Sequence, residues 1–222
     1  MVFAAIETSG EWCSLALWLD GEISALERRA ANRHSELALP MLEDLFNETG
    51  TTVSELAAIA FGAGPGSFTG LRIACGLAQG LAFARRLPVI GVSAFEATAQ
   101  EAGGTRVVVC IDARMREVYY SALEKKGGRW REVIPGQCVA PDAATPPPGE
   151  EWIGCGSGFA AFPGFMKKNI FIKRPEVHPT ALAIAQLAAP RLAAGEGVDA
   201  ALAVPNYVRD KVAFTKKELE SR

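Results

Sequence analysis

The sequence is poor in several residue types that mark common classes of protein. It has only two histidines, His34 and His178, and neither has a second histidine or a cysteine at the spacing of a metal site. The cysteines number five, with no CxxC pair, so we expect reduced thiols rather than disulfides. These shortages argue against a metal site and against a disulfide-stabilised secreted domain, and they predict a cytoplasmic protein.

Long apolar runs and a strong charge of one sign are also missing. No stretch approaches the ~20 consecutive apolar residues of a membrane span, and we expect neither a signal peptide nor a membrane anchor. The formal net charge of -2 argues against a chain whose whole surface binds nucleic acid. The 49% of hydrophobic residues is ample for the core of one large or two small globular domains.

Apolar patterning predicts two halves that share one plan. Each half opens with a buried strand ending at an acidic residue, Glu7 in the first and Asp112 in the second, and a strand hairpin follows. Strands then alternate with helices, which indicates an α/β fold of two related lobes with mixed sheets flanked by helices. Gly103-Gly104 is the expected boundary, giving lobes of residues 1–103 and 104–222.

A glycine-rich stretch, Phe61–Gly80, has the texture of a phosphate-binding loop that runs into a helix. No lysine follows its glycines as in a Walker loop, and threonine replaces the last glycine of the dinucleotide fingerprint. The alternative is a tight turn whose hydroxyl side chain, Ser67 or Thr69, caps the helix. If a nucleotide binds, the residues expected to contact it are Glu7, Thr8, Ser9, Gly64, Gly66 and Ser67.

The helix predicted after this loop carries two glycines on one face. Its small-residue ridge has positions four apart, Arg72, Gly76, Gly80 and Ala84, beside an apolar ridge of Ile73, Leu77 and Leu81. A glycine inside a helix costs roughly 1 kcal/mol relative to alanine, so two on one face need a physical reason. Close approach of a second helix is such a reason, and that helix belongs either to this chain or to a partner.

No group of residues forms a convincing catalytic constellation. The chain lacks the G-x-S-x-G turn of serine hydrolases, and Gly66-Ser67-Phe68 does not replace it. Single carboxylates such as Glu7 and Asp112 are as well explained by turn formation as by magnesium binding. The arginines at 114 and 116 suggest a surface ion pair with Asp112, which contributes little to stability.

Several segments nevertheless resemble one family, the TsaB (YeaZ) proteins that bacteria need to make threonylcarbamoyladenosine on tRNA. The segments are RHSELALPMLEDL, GPGSFTGLR followed by AQGLA, IDARMREVYY and PNYVRDKVA. The block that begins with GPGSFTGLR is highly specific to this family and to its paralogue TsaD. We identify the chain as a member of this family on these motifs.

The resemblance implies a fold and a set of partners. The fold would be the two-lobed actin-like ATPase fold, in agreement with the repeat in the sequence. The chain would be a non-catalytic subunit that binds TsaD, which transfers the threonylcarbamoyl group to adenosine of tRNA, and the ATPase TsaE would join them. Alone it would form a homodimer, tRNA would be contacted through the complex, and no cofactor would be required, although ATP or ADP binding stays open.

Two departures from the paralogue TsaD bear on activity. TsaD carries a metal-binding His-x-x-x-His pair after its Gly-Val, whereas Ala94 and Thr98 occupy those places here. The metal-dependent transfer is therefore not expected in this chain, and the old superfamily label of glycoprotease fails on the same residues. Glu7 stands where the family usually has aspartate, and the longer carboxylate argues further against a magnesium-phosphate site.

The predicted partner surface combines the two helices of the first half. Its residues are His34, Leu37, Met41, Leu45, Arg72, Ile73, Gly76, Leu77, Gly80 and Ala84. Two rival functions are a superfamily enzyme acting alone, either an ATPase or an M22-type peptidase, and a module that binds tRNA directly. The tail from Arg209 to Arg222 has more basic than acidic residues, which favours the second rival only weakly.

Overall fold

The computed structural model describes residues 1–166 and 168–209, which form two five-stranded sheets and their flanking helices. The strands are β1 (Val2–Glu7), β2 (Trp12–Leu19), β3 (Glu22–Arg29), β4 (Ala58–Gly64), β5 (Val89–Ser93), β6 (Arg106–Arg114), β7 (Glu117–Lys126), β8 (Arg129–Val139), β9 (Trp152–Cys155) and β10 (Ile170–Arg174). The α-helices are α1 (His34–Thr49), α2 (Phe68–Phe83), α3 (Ala94–Ala102), α4 (Gly158–Ala161) and α5 (Ala181–Ala193). Short 3₁₀ helices span Val53–Glu55 and Ala200–Leu202.

The two sheets have the same topology. The first has the strand order β3-β2-β1-β4-β5 and the second the order β10-β9-β6-β7-β8, which is the same arrangement listed from the opposite edge. In each sheet the opening strand is antiparallel to the next strand and parallel to the fourth. The predicted repeat is therefore real, and Glu7 and Asp112 lie at the ends of equivalent strands, β1 and β6.

The helices divide between the two faces of the first sheet. Helices α1 and α2 cover one face, where they pack on alternate side chains of β1, β2 and β4 such as Ile6, Leu15 and Ile59. Helix α5 covers the other face through its alanines, and α3 lies beside it and also contacts the second sheet. Every strand of the first sheet except the edge strand β3 is mostly buried. The sequences of these strands are therefore nearly continuous apolar runs.

Helix α5 and the residues after it return to the first sheet. The prediction had placed residues 104–222 wholly in the second lobe, but α5 packs on β1, β2 and β4. Val198 then pairs with Val89 through two backbone hydrogen bonds, and Ala203 lies against α2. The sequence boundary fails here because an alanine-rich helix fits either sheet, and only the tertiary structure selects one.

The two helices of the predicted partner surface begin and end as their sequences suggest. Ser67 accepts a hydrogen bond from the Gly70 N–H and caps α2, and Gly50 ends α1 in the left-handed conformation. Helix α1 runs through Pro40 without interruption. None of the described helices combines the length and the hydropathy needed to cross a membrane. The tail residues 210–222, which carry the tRNA-binding hypothesis, lie outside the described part of the chain.

Candidate functional site

The turn after β1 and the start of α2 are in direct contact. The Ser67 N–H donates to the Ser9 carbonyl at 2.7 Å, and the Thr8 hydroxyl donates to the Gly70 carbonyl at 2.7 Å. A Cβ added to Gly66 would come within 3.0 Å of Ser9, and one added to Gly70 would come equally close to Thr8. The Thr8 hydroxyl thus donates within the chain, the Ser67 hydroxyl oxygen caps α2, and the two loops are in close contact.

Glu7 is the buried acid at this point of the fold. Its side chain is almost wholly buried, one carboxylate oxygen accepts the Ser9 N–H, and the other has no partner among the described residues. Burial raises the pKa of Glu7 to about 7, because a charged carboxylate loses its hydration there. A Cβ at Gly62 would overlap this carboxylate, so a larger residue in β4 would require the Glu7 side chain to move.

The remaining residue of the predicted nucleotide site, Gly64, is also packed from within. A Cβ there would lie 2.9 Å from the Asn206 carbonyl oxygen and 3.0 Å from Leu71. Its φ of 106° lies in the region that favours glycine, so the residue also shapes the turn. Glu7, Thr8, Ser9, Gly64, Gly66 and Ser67 are therefore brought close together, but they pack against one another, against α2 and, at Gly64, against Asn206.

The glycine ridge of α2 faces outward. Gly76 and Gly80 are exposed, and no described atom beyond the helix backbone lies within 4 Å of a Cβ added to either residue. No helix of the described residues therefore packs on this ridge. Arg72 lies on the same exposed ridge, with its guanidinium 3.7 Å from the Phe68 ring centre.

The predicted partner residues separate into exposed and buried groups. Beside the glycine ridge, Ala84 is exposed and the side chains of Leu37, Ile73 and Leu77 are partly buried. Met41 and Leu45 have no exposed surface, so they hold α1 on the sheet and cannot touch a partner. The apolar stripe of α1 identified the face of this helix that packs on the core, not the face that a second protein could reach.

His34 is another predicted contact residue that serves the fold. It is buried at the start of α1, and its Nε2 lies 3.1 Å from the Gly10 carbonyl oxygen. Burial lowers the pKa of this histidine and favours the neutral ring. His34 thus joins α1 to the turn after β1.

Several exposed apolar side chains on α1, on α2 and after α5 were missed. Leu39 of α1 is 52% exposed, Phe83 at the end of α2 is 73% exposed, and Leu202 and Val204 are 68% and 67% exposed. Leu39 gave a signal in the sequence, since it lies off the main apolar stripe of its helix. Leu202 and Val204 gave none, because only the fold brings the segment after α5 against α2.

A shallow groove lies between α2 and the segment that follows α5. Its volume is about 320 Å³, and Gly76 and Arg72 line one wall while Val204 and Tyr207 line the other. The Gln79 side-chain amide fastens the segment by donating to the Ala203 carbonyl at 2.9 Å. The outer surface of α2 is therefore an apolar platform without bulk at its centre, which can receive another polypeptide.

Ala94 and Thr98, the residues that take the places of the TsaD histidines, present no metal-binding atom at the protein surface. Ala94 and Thr98 are fully buried at the start of α3, and the Thr98 hydroxyl donates to the Ala94 carbonyl at 2.6 Å. Within residues 1–166 and 168–209, no three His, Cys, Asp or Glu side chains are grouped as a metal site requires.

Two lobes of matching topology, each built on a mixed five-stranded sheet with flanking helices, define the actin-like ATPase fold. The family model described as TsaD, tRNA N6-adenosine threonylcarbamoyltransferase, matches residues 27–217.

The more similar relatives share nearly the whole chain. The tRNA threonylcarbamoyladenosine biosynthesis protein TsaB of Escherichia coli (strain K12) is 37% identical over 97% of this chain and 98% of its own length. The protein of the same name from Haemophilus influenzae is 35% identical, with 97% of both chains covered. The solved structure of YeaZ from Pseudomonas aeruginosa has a TM-score of 0.88 at 37% identity, covering 93% of this chain and 99% of that chain. The chain belongs to the TsaB (YeaZ) family.

Proposed function

We propose that this protein is a non-catalytic subunit of the complex that transfers a threonylcarbamoyl group to an adenosine in the anticodon loop of ANN-decoding tRNAs. In this role it binds and stabilises the catalytic paralogue TsaD, and the ATPase TsaE joins the pair. The family relation supplies the pathway, since the curated relatives carry the name of threonylcarbamoyladenosine biosynthesis proteins. The exposed glycine ridge of α2 is the observation that carries the binding role.

The energetics of α2 support this proposal. Gly76 and Gly80 each weaken the helix by roughly 1 kcal/mol relative to alanine, and no packing within the described chain offsets that loss. A partner helix that approaches the bare backbone offsets it in the complex. The exposed side chains of Phe83, at the end of the same helix, and of Val204, in the groove beside the ridge, are then buried as well.

The same surface can join two copies of this chain when TsaD is absent. A helix face with small residues at its centre and apolar side chains around it is suited to an isologous contact, in which each copy offers the same patch. We therefore propose that TsaD displaces a homodimer rather than binding a second surface. We further propose that no cofactor is needed for this exchange, because the residues first expected to bind a nucleotide contact each other.

The proposal is tested by size-exclusion chromatography with light scattering on the chain alone and mixed with TsaD of the same organism, with and without ATP. We expect a heterodimer of the wild-type chain with TsaD. Gly80→Leu should abolish that complex and leave the monomer folded. Gly164→Leu is the matched control. A Cβ added to Gly164 also meets no described atom within 4 Å, and this residue follows α4, far from α2 in the sequence.

A heterodimer that forms equally well with Gly80→Leu would refute the proposed surface. Failure of the wild-type chain to bind TsaD in any condition would refute the proposed role. Turnover of ATP or of a peptide by the isolated chain would favour an independent enzyme instead.

A further inference from the structure

Three hairpins of this protein are closed by two-residue turns, but one of these turns has residues that are unfavourable for its backbone conformation. The β2–β3 turn is Asp20-Gly21, the β7–β8 turn is Gly127-Gly128 and the β6–β7 turn is Met115-Arg116. All six turn residues have positive φ values. Two-residue turns of this kind favour Asn, Asp and Gly because side chains crowd the backbone at positive φ.

The β6–β7 turn is unusual in a second respect. Arg114, just before the turn, also has a positive φ, so three consecutive residues with side chains adopt the left-handed conformation, at 62°, 54° and 62°. Such a conformation is unfavourable for each of these residues. The β7–β8 turn of the same sheet avoids this cost, because both of its residues are glycines. A backbone outlier of this kind is commonly retained where the side chains contact another molecule.

The turn is held firmly from both sides. Asp112 accepts the Arg114 N–H at 2.8 Å and its guanidinium at 3.1 Å. On the other side the Arg209 guanidinium donates to Glu117 at 2.6 Å and lies 4.0 Å from the Met115 sulfur. With its backbone fixed in this way, the turn presents Arg114, Met115 and Arg116 to solvent, and Met115 is 49% exposed.

An extended segment, residues 203–209, joins this turn to the outer surface of α2. At its start the Ala203 carbonyl accepts from Gln79 of α2, and in its middle the Tyr207 hydroxyl accepts from Arg72 at 3.1 Å. Tyr207 also packs on Phe68 at the beginning of α2, with ring centres 5.6 Å apart. At its end Arg209 lies 4.0 Å from the Met115 sulfur, so residues 203–209 connect the start of α2 to the turn.

The charges of the turn indicate the chemistry of what it binds. Asp112 neutralises Arg114 and Glu117 neutralises Arg209, whereas Arg116 forms no ion pair with any residue in the described ranges. The turn therefore offers an apolar thioether beside a single free cation. An RNA backbone needs several cations in a row, whereas a protein surface with an apolar recess and one carboxylate matches this pair.

We propose that the β6–β7 turn is a second contact for the protein that docks on α2, with Met115 entering an apolar recess and Arg116 meeting a carboxylate. This inference rests on the proposed function, since it takes TsaD as the partner. It places the interface on both lobes, so that a bound partner bridges them across residues 203–209.

The test exchanges the turn for a relaxed one in the full-length chain. The double change Met115→Asn with Arg116→Gly supplies the residues that this turn geometry prefers. We expect a higher melting temperature together with at least tenfold weaker affinity for purified TsaD of the same organism, measured by calorimetry. Gly127→Asn in the β7–β8 hairpin is the matched control, and we expect it to leave the affinity unchanged.

A melting temperature that rises while the affinity stays the same would overturn the proposal. If the double variant fails to fold, Arg116→Glu replaces the cation by an anion without introducing a glycine, and it tests the proposed contact with a carboxylate directly. We expect at least tenfold weaker affinity for TsaD, and an unchanged affinity would contradict the proposal. Weaker tRNA binding by the complex at unchanged TsaD affinity would also overturn it, in favour of an RNA contact. Loss of the complex in Gly80→Leu with normal binding by the turn variants would refute this inference and leave the proposed function standing.

Discussion

The glycines on either side of the α2 N-terminus have opposite surroundings. Before and at the start of the helix, a Cβ added to Gly62, Gly66 or Gly70 would come within 3.0 Å of the end of β1 or of the turn after it. Farther along the helix, a Cβ at Gly76 or Gly80 would meet no described atom within 4 Å. The first group is required by contacts inside the chain. The second group has no such requirement among the described residues, and for this reason we propose that a partner molecule occupies the space beside it.

The difference shows why a glycine-rich motif is ambiguous in sequence. A glycine that lets two loops touch and a glycine that leaves room for a partner are the same letter, and only the neighbouring atoms distinguish them. Five substitutions in and around this segment test this difference through the stability of the chain, and they are ordered from the largest expected effect to the smallest.

Gly70→Ala should have the largest effect, because the new methyl group would overlap the Thr8 carbonyl, which is backbone and cannot move aside. We expect the free energy of unfolding to fall by about 4 kcal/mol or more. Urea denaturation followed by circular dichroism measures it. A loss below about 1 kcal/mol would contradict the close packing of the two loops.

Glu7→Gln should change how stability depends on pH. Burial raises the pKa of Glu7 from an ordinary 4.5 to about 7, so the folded state holds a proton that the unfolded state releases. Stability from this group is complete below pH 4.5 and is lost as the pH rises through 7. The amide removes that loss, so at pH 8 we expect the variant to be roughly 3 kcal/mol more stable than the wild type.

Denaturation curves at pH 5 and pH 8 check this prediction. His178 also has a raised pKa, because it faces Glu27 and the Glu176 carbonyl, and it acts in the same direction as Glu7. A part of the pH dependence should therefore remain in the variant. An equal fall in stability for wild type and variant would show that Glu7 is ionised in the folded protein.

Gly76→Ala and Gly80→Ala should stabilise the isolated chain. Each methyl group enters open space and removes the helix penalty of glycine, so we expect the free energy of unfolding to rise by about 1 kcal/mol per substitution. Thermal unfolding of the monomer provides the measurement. A destabilised alanine variant would mean that the ridge is packed against this chain after all.

Ser67→Ala should have an effect no larger than that of one of these glycine substitutions and of the opposite sign. It removes the side-chain oxygen that accepts the Gly70 N–H, and the loss of such a cap costs about 1 kcal/mol. Thr69→Ala is the control, since Thr69 makes no cap hydrogen bond in the described structure and is exposed. Equal losses in the two variants would show that the hydroxyl of Ser67 is not the cap.

Much of the fold could be predicted, whereas the candidate site could be predicted only in part. The strand hairpins, the ends of α1 and the repeat of the two sheets follow from local patterns, such as Asp20-Gly21 at a turn and Gly50 at a helix end. The contact residues on α1 were misjudged at Met41 and Leu45, because an apolar stripe reports burial without saying against what.

The sequence by itself determined the α/β class, the doubled topology, the family and the presence of two unexplained glycines in α2. These follow from short-range periodicity and from motifs, which each segment carries alone. Only the tertiary structure decided that the polar loop is filled from within, that the ridge of Gly76 and Gly80 faces outward, and that residues 203–209 connect α2 to the strained turn at Met115. Such facts depend on which distant atoms become neighbours, and the local pattern of a chain does not contain that information.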